Sequence, residues 1–594
     1  MNLAYRAWLL FLFFGLLVVA TRWQIMPDQV FGFDDVNLAY SIKHFDIRIS
    51  QPQPPGYPLY VMEMRALWWL HFRRVETILQ TLALAGGIAA LLLTALAGNS
   101  ILGGESGFYA ALLLLFQPAF WVAGISSGLR VHLAIISMAV GAACWRAWSA
   151  ATAKKPGEGR WVLWSALALG IGAGVRPEAG PLLFPLWAVS ALRAPVKWRD
   201  RMLGLAAMAA AVLAWLLPAM YASGGPAEFI NACTAYLSDQ SSLSSGFFGA
   251  SGSDWTTAFW RMIAWTFCGV PGWALAAVLA WRRGEGWGLG RERAAFLALW
   301  LAPPLVFAIT VHAAAPGHTL LMVPVLALFG GFLVDRAVDR SGAPLSRWDA
   351  LLFGLLPVVA MLALDTTEFT ALWLPPACVA AGLALKSEPM KNNGYPLRAT
   401  VALAALAPAI LLNAAMFYHR GWYYRGPHTT GWRAAMEQAL TDLNSGMEFT
   451  SYEQVYNTVM LDDQSVRQVF RLAKEKPGNT WVVWEEGPTA WRKVAYYAPQ
   501  TPLVVLEHAK IHRGSPAVVS IWKGPAIVQS IEGAPPLRVT LPAGARVVWM
   551  IGSRSDFYNR VRQAFPLTAA GPVWYTDLPR EDGSRTLGEY QLAW

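Results

Sequence analysis

The sequence has few charged residues. Only 14% of its 594 residues are Asp, Glu, Lys or Arg, whereas an average soluble domain has about 25%. Apolar residues make up 55% of the chain and 30 residues are tryptophan, which is enriched where a protein meets the membrane interface. The composition therefore excludes an ordinary soluble protein and indicates a polytopic membrane protein.

Cysteine is also scarce, and several common site motifs are missing. The four cysteines are too few for a disulfide framework. Neither HExxH nor CxxC occurs, so the sequence offers no familiar zinc spacing. A GxxxxGK[ST] phosphate loop is absent as well.

The formal net charge of +10 does not indicate a nucleic-acid partner. The Lys and Arg residues lie between apolar runs, where they direct membrane topology. The first apolar run has no small-residue cleavage site after it, so we interpret it as an uncleaved span with Arg6 on the cytoplasmic side.

Runs of about 20 mostly apolar residues predict membrane spans. The clear candidates are 7–25, 77–98, 107–123, 131–148, 203–221, 259–281, 294–312, 319–335, 348–365, 369–386 and 399–418. The ambiguous stretch 161–191 is predicted to form two short spans that meet at Arg176-Pro177-Glu178. With that assignment, 18 basic residues lie in cytoplasmic loops, and the short outer loops contain only Arg130 and Arg176. The prediction is about thirteen spans, with the C-terminus outside.

This topology divides the chain into two domains. Residues 1–418 are predicted to form the multi-spanning catalytic domain, whose first outer loop is 26–76. Loop 222–258 is Ser/Gly-rich and predicted to be a mobile flap. Residues 419–594 are predicted to form an outer α/β domain, because strand-length apolar runs alternate there with helical patterns. The expected strands are 481–484, 503–506, 517–521 and 546–551, and the expected helices are near 462–475, 488–497 and 554–564.

Two adjacent carboxylates, Asp34 and Asp35, follow the first span. One interpretation is a solvated pair, or an N-cap for a helix starting at Val36. Another is a general base at the membrane surface, since two neighbouring carboxylates repel and one then holds its proton more tightly. A third is a pair of ligands for Mg²⁺ or Mn²⁺.

A proline-rich turn, 51–58, follows the carboxylates. Its prolines stiffen the backbone, while Gly56 permits a tight bend. The plain interpretation is a rigid link between two interfacial helices. The functional one adds that Gln53 and Tyr57 help to shape a site beside the carboxylates.

Several cations are predicted to lie at the same outer face. A lone interfacial arginine is usually an anchor, but several together suit an anion, because arginine matches phosphate oxygens with its planar fork. The candidate phosphate-binding residues are Arg130, His132, Arg176, Arg261 and His318.

In order and sidedness, these motifs resemble the lipid-dependent glycosyltransferases of the C superfamily. The closest in layout are protein O-mannosyltransferases and the aminoarabinose transferase that modifies lipid A. Asp34-Asp35 matches the acidic pair after their first span, and Gln53-Pro54-Pro55 matches a His-Pro-Pro segment with Gln in place of His. Gly170–Pro177 resembles their Gly-Leu…Arg/Lys-Pro turn, and 317–330 their Arg-Tyr-Leu-Leu-Pro…Gly run. Gly124–Arg130 contains no acid, whereas some relatives have one there.

The resemblance implies a polyprenyl-phosphate-linked sugar donor, inversion at the anomeric carbon, and a protein, lipid or glycan acceptor. It also implies a multi-pass protein of the bacterial inner membrane, in contact with membrane lipids. No cofactor is certain, although a divalent cation stays open for the two aspartates. The alternatives are a transporter and a non-catalytic envelope assembly protein, neither of which requires the carboxylates to react.

Overall fold

The structure is a computed structural model. It describes residues 3–126, 128–152, 159–242, 245, 249–267, 288–311, 316–339, 406, 409–410, 413–414, 417, 431–485, 491–508, 517–522, 536–553 and 555–594. The chain forms two compact units. The first comprises Met1–Met26, Tyr57–Ala219 and Gln240–Val455, and the second comprises Pro27–Gly56, Met220–Asp239 and Tyr456–Trp594. The predicted boundary at residues 418/419 stays a prediction.

Helices dominate the first part of the chain. In chain order they are α1 (Leu3–Arg22), α2 (Gly32–Ser41), α3 (Pro58–Trp69), α4 (Val75–Leu102), α5 (Ser106–Leu115), α6 (Pro118–Ser126), α7 (Gly128–Thr152), α8 (Gly159–Val175), α9 (Ala179–Arg193), α10 (Trp198–Ala222), α11 (Pro226–Ser242), α12 (Gly252–Phe267), α13 (Arg291–Thr310) and α14 (Val323–Asp339). Short 3₁₀ helices occupy Trp23–Ile25, Ile47–Ile49 and Pro316–Leu321.

The C-terminal region alternates helices and strands. Its elements are α15 (Trp432–Glu448), α16 (Tyr452–Glu475), β1 (Thr480–Glu485), α17 (Trp491–Tyr497), β2 (Leu503–His508), β3 (Ala517–Trp522), β4 (Leu537–Thr540), β5 (Arg546–Ile551), α18 (Asp556–Ala564), β6 (Thr568–Ala570), β7 (Val573–Asp577), β8 (Ser584–Leu587) and β9 (Tyr590–Ala593). The predicted α/β composition is confirmed, and all four predicted strands and three predicted helices are present.

Within the described residues, five helices are long and apolar enough to cross a membrane, or six with one bent pair. The five candidates are Tyr5–Ile25, Val75–Leu102, Gly128–Ala150, Trp198–Ala222 and Arg291–Thr310. The predicted spans 348–365 and 369–386 lie outside the described residues, as do most of 399–418 and part of 259–281. The count of thirteen and the sidedness therefore stay predictions, while the multi-pass helical class is confirmed.

The stretch 161–191 forms two short helices, as predicted. α8 ends at Val175 and α9 begins at Ala179, so the chain turns at Arg176-Pro177-Glu178. The cause is local, because a residue before proline avoids helical geometry.

The predicted span 107–123 is a bent pair of helices, which together are apolar and long enough to count as one broken span. α5 and α6 bend by 62° at a break after Leu115, where Gln117 precedes a proline. The Nη2 atom of Arg22 donates to the Leu115 carbonyl at 2.7 Å, and this arginine is fully buried. The Gln117 Oε1 atom accepts from the Phe120 amide at 2.8 Å. These contacts satisfy backbone groups that the break would otherwise leave without a partner.

The predicted flap 222–258 contains a helix that was not expected, because α11 occupies Pro226–Ser242 and α12 begins at Gly252, and its mobility stays a prediction. A proline at the first helical position and Glu228 in the first turn both favour a helix start. The Ser/Gly content of the following stretch concealed this helical pattern.

The main sheet of the second unit has six strands in the order β3-β2-β1-β5-β7-β6. β1 pairs in parallel with both β2 and β5, while β3, β6 and β7 pair antiparallel. A smaller sheet, β4-β9-β8, was not predicted, since its strands have only four residues each.

Both faces of the main sheet are covered. Val482 and Val548 pack in one core with Val466 of α16 and Val494 of α17. The opposite face, which includes Trp549, packs in a second core with α18 and the small sheet. Burial on both faces explains why these strands are continuous apolar runs, which made them recognisable in the sequence.

Candidate active site

The two carboxylates lie in the first turn of α2, which starts at Gly32. The interpretation of the pair as an N-cap for a helix beginning at Val36 is therefore wrong, because Phe31 occupies the N-cap position. Partial positive charge at a helix N-terminus favours anions in the first turn. The helix thus stabilises carboxylates at this place in the chain.

Asp34 and Asp35 differ in exposure. The Asp35 side chain is buried, with 1% of its surface exposed, whereas Asp34 is partly exposed. Only a group that solvent or substrate can reach is able to accept a proton from an incoming hydroxyl. The difference favours Asp34 as the reacting carboxylate and Asp35 as the supporting one.

One face of α2 packs against α17 of the same unit. The ring of Phe33 lies 5.9 Å from Trp491, and the ring of Tyr40 lies 5.3 Å from Tyr496. Just before α2, the amide of Val30 donates to the Tyr497 hydroxyl at 2.8 Å. A short helix of the C-terminal region therefore runs along the helix that carries the carboxylates.

Arg492 is the centre of this packing and is 4% exposed. Its Nη1 atom donates to the Asn37 side-chain oxygen and, at 2.8 Å, to the carbonyl of Ser50. Its Nη2 atom donates to the carbonyl of Ile49 at 2.6 Å. Burial lowers the pKa of Arg492 to about 10, so the group is still charged at neutral pH.

The same guanidinium lies over aromatic rings. Its distances to the ring centres are 5.4 Å for Phe33, 5.3 Å for Trp491 and 5.9 Å for Trp522. Aromatic faces attract cations, which offsets part of the cost of removing the charge from water. Burial also raises the pKa of the adjacent Tyr40 hydroxyl to about 12, so that tyrosine is neutral.

The proline-rich turn is tied to α2. Gln53 is buried, and its Oε1 atom accepts from the Asn37 amide at 3.4 Å. The turn contains two cis bonds, Gln51-Pro52 and Pro54-Pro55, and Gly56 has φ 106°. A Cβ at Gly56 would lie 2.9 Å from Phe45 and Ile47, so only glycine fits there. In this structure Gln53 contacts α2 directly, which suits the predicted role of shaping a site beside the carboxylates.

The first unit brings two of the predicted cations to the N-terminal half of α3 and its N-cap. The guanidinium of Arg176 lies 5.0 Å from the ring centre of Tyr57. One turn along α3, the ring of Tyr60 lies 5.1 Å from that of His132. One turn further, Glu63 Oε2 lies 3.0 Å from His132 Nε2. Tyr57 is the N-cap residue of α3, while Tyr60 and Glu63 are three residues apart within the helix and are neighbours on its surface.

Both cations beside α3 have a carboxylate neighbour. Arg176 pairs with Glu178 at the turn between α8 and α9. His132 contacts Glu63 through Nε2, and its Nδ1 atom lies 2.6 Å from the Gly128 carbonyl. A phosphate that binds here would share these cations with the carboxylates.

The other predicted cations lie elsewhere in the first unit. Arg130 and His132 are two residues apart on α7, so they lie on different sides of this helix. The Arg130 side chain packs against Gly317, next to His318. Arg261 donates from Nη2 to the Ser445 hydroxyl at 3.0 Å and lies 5.1 Å from the Phe449 ring. The five cations thus form three groups within this unit.

Three contributors were missed in the sequence: Arg492, Asn37 and Glu63. Glu63 is the one acid of α3, whose other residues are apolar except for Arg65, and that pattern could have identified it. Asn37 and Arg492 are separated by 455 positions, and no local pattern links them.

The fit to a metal ion is weak among the residues that the structure describes. These residues contain no group of three or more His, Cys, Asp or Glu side chains suited to hold one. Asp34 and Asp35 alone would leave most of the oxygen ligands of Mg²⁺ to water or substrate.

The overall fold matches that of ArnT from Cupriavidus metallidurans. ArnT from Cupriavidus metallidurans bound to undecaprenyl phosphate has 15% sequence identity and a TM-score of 0.52, over 96% of this chain and 97% of that one. The apo form of the same protein gives 15% identity and a TM-score of 0.53, over 97% and 98%. No family profile and no curated protein sequence matches the chain. The likeness shows that the two proteins share a fold.

Proposed function

We propose that the chain is a membrane glycosyltransferase. It transfers a sugar from a polyprenyl-phosphate-linked donor to an extracytoplasmic acceptor, with inversion at the anomeric carbon. The observation that carries the proposal is the pair Asp34-Asp35 in the first turn of α2, in a chain whose fold matches ArnT over nearly its whole length. The crystal structure of that ArnT contains undecaprenyl phosphate, which supports a lipid phosphate as the leaving group here.

In the proposed reaction, Asp34 accepts the proton of the acceptor hydroxyl. The hydroxyl oxygen then forms a bond to the anomeric carbon as the bond from that carbon to the phosphate oxygen breaks. Both electrons of the broken bond leave with the lipid phosphate. Attack opposite the leaving group inverts the anomeric configuration.

The cations of the first unit have the complementary role. Arg176 and His132 beside α3, Arg130 and His318 at the 3₁₀ helix, and Arg261 are proposed to hold the donor phosphate. Preorganised cations stabilise negative charge that develops on a departing phosphate more than they stabilise the bound donor, and therefore lower the barrier. Asp35, Gln53 and Tyr57 are proposed to position the base or the acceptor.

The same proposal places the protein in the bacterial inner membrane, with residues 419–594 on the outer face. The donor and acceptor meet there, on the side away from cytoplasmic ATP. The free energy for transfer then comes from the phosphate–sugar bond of the donor itself.

The test is sugar transfer by the purified protein in liposomes. Radiolabelled undecaprenyl-phospho-mannose and undecaprenyl-phospho-aminoarabinose are the donors, and membrane extract supplies acceptors. Release of undecaprenyl phosphate together with label in an acceptor is the expected result. A transporter would move label across the bilayer without cleaving the donor, and an assembly protein would do neither. Either of these results would refute the proposal.

Metal dependence is decided in the same assay with a strong chelator. Activity that survives the chelator supports Asp34 as a metal-free base. Activity that is lost and then restored by Mg²⁺ or Mn²⁺ moves both aspartates from base to ligand.

A further inference from the structure

We propose that Arg492 is a positioning residue for the carboxylate helix, so that the C-terminal region determines where Asp34 and Asp35 lie. This inference rests on the proposed function. It gives the C-terminal region a part in the reaction that is separate from any contact with the acceptor.

The first argument is the set of acceptors that Arg492 binds. One lies on α2 itself, at Asn37, and two are backbone carbonyls after the helix, at Ile49 and Ser50. Asn37 in turn donates to Gln53 of the proline-rich turn. A single guanidinium therefore joins the helix, the segment after it and the turn. The five donors of arginine lie in one rigid plane, so these contacts fix direction as well as distance.

The second argument is the chemistry of those acceptors. All three are neutral oxygens, so the buried charge of Arg492 is not cancelled by a carboxylate at these contacts. Burying a cation against neutral groups is costly compared with apolar packing of similar size. Simple attachment of the two segments would be achieved more cheaply by aromatic contacts such as those of Phe33 and Tyr40. The arginine instead provides directional hydrogen bonds, which suits a role in placing the helix.

The third argument is which face of α2 is used. Phe33, Asn37 and Tyr40 follow the i, i+4, i+7 spacing of one helix face. Asp34 and Asp35 are turned from Phe33 by roughly 100° and 200°, since each residue advances a helix by about 100°. The aromatic and hydrogen-bond contacts described between α17 and α2 therefore lie on the Phe33–Tyr40 face of the helix.

The experiment compares Arg492→Lys and Arg492→Met with Arg546→Met. Arg546 is a matched control, because it is an arginine of the same region that donates to Asp577 at 3.0 Å and Glu475 at 2.8 Å and has no part in the contacts described for α2. Amide hydrogen exchange is measured over residues 32–53, together with kcat for sugar transfer and binding of undecaprenyl phosphate.

The Arg492 variants should exchange faster over 32–53 and lose about 10²-fold in kcat, the cost of misplacing a catalytic group by about an ångström. Undecaprenyl phosphate affinity should change less than about twofold, because the proposed phosphate contacts belong to the other unit. Arg546→Met should keep both exchange and kcat. Lysine supplies the charge without the planar fork, so Arg492→Lys should have a kcat and an exchange rate close to those of Arg492→Met.

A second measurement, chemical rescue by guanidinium, separates loss of the side chain from poor folding of a variant. Arg492→Ala should regain part of its kcat in millimolar guanidinium, and equal sodium chloride should have no such effect. The inference is overturned if the Arg492 variants exchange and react like wild type, or if Arg546→Met loses kcat to the same extent. If exchange over 32–53 changes but wild type transfers no sugar, the positioning role stands and the proposed function fails.

Discussion

α2 and α3 are consecutive helices of one predicted loop, yet they belong to different units and their sites are built differently. α2 packs on α17 through aromatic rings and neutral oxygens bound to Arg492. α3 presents Tyr57 and Glu63 to Arg176 and His132, and both cations have carboxylate neighbours. The acceptors of Arg492 on α2 and after it are thus neutral, while the cations beside α3 are already partly compensated by carboxylates.

This difference between α2 and α3 determines which chemical role each helix is suited to. A base needs a carboxylate that the acceptor hydroxyl can reach, and Asp34 is the more exposed of the two aspartates. A phosphate site needs cations, and those beside α3 must exchange a carboxylate for the phosphate. Each of these cations then contributes less binding free energy for the phosphate than a cation without a neighbour of opposite charge would.

The largest effect is all-or-none and concerns the side of the membrane that holds the second unit. In a variant whose four native cysteines are serine, Ser584→Cys should react with an impermeant maleimide from outside, since this residue is exposed. Lys197→Cys, in a predicted cytoplasmic loop, should react only after the membrane is permeabilised. The reverse pattern would place α2 and the C-terminal region inside and remove the acceptor side of the proposal.

The next effect separates the two carboxylates of α2. Asp34→Asn should lower turnover by about 10²–10⁴-fold, the range expected when a general base is removed. Undecaprenyl phosphate binding should stay near wild type. Asp35→Asn should cost less, because Asp35 is buried and acts through its neighbour. A larger loss for Asp35→Asn would reverse the two roles, and near-normal turnover in both variants would make the pair structural.

A smaller effect is expected on the α3 side. Arg176→Ala should weaken undecaprenyl phosphate binding by about one to two decades, the equivalent of about 1.5–3 kcal/mol for a charged hydrogen bond. Glu178→Gln provides the sharper comparison, because removing this carboxylate should strengthen binding if Arg176 contacts the phosphate. Unchanged affinity in both variants would identify Arg176 as an anchor.

The smallest expected effect is the stability contributed by the contact between Arg546 and Asp577. This contact differs from those of Arg492 because its acceptor is a titratable carboxylate. The hydrogen bond from Arg546 holds the pKa of the Asp577 carboxyl below its usual value. Its stabilisation is therefore present above the unfolded pKa of about 4 and is lost as the pH falls through the lower folded pKa. Because Asp577 is about half exposed, we expect at most about 1 kcal/mol.

The measurement for this last effect is the Tm of wild type and Asp577→Asn at pH 6 and below pH 3. Wild type should be the more stable protein only at the higher pH. The oxygens that bind Arg492 do not titrate in this range, so exchange protection of 32–53 should not follow the same curve. A gap in Tm that persists at the lower pH would show that Asp577 does not stabilise through its charge.

Several features of the fold could be predicted because their causes are local. Proline at position 177 and the charge bias predicted the turn between α8 and α9. The strands of the main sheet were recognisable because both faces of that sheet are buried. The bend between α5 and α6 also has a local cause at Gln117-Pro118, but the apolar residues on both sides hid it. α11 was missed because serine and glycine counts outweighed its helical spacing.

The sequence by itself determined that the chain spans a membrane, ends in an α/β region and presents an acidic pair after its first helix. These properties depend on composition and on residues close together in the chain. Only the tertiary structure decided that Asp35 is buried while Asp34 is reachable, that Arg176 contacts Tyr57 and His132 contacts Glu63, and that Arg492 binds Asn37 across 455 positions. Such contacts depend on how distant segments pack, and a hydrogen bond between them leaves no periodic trace in either segment.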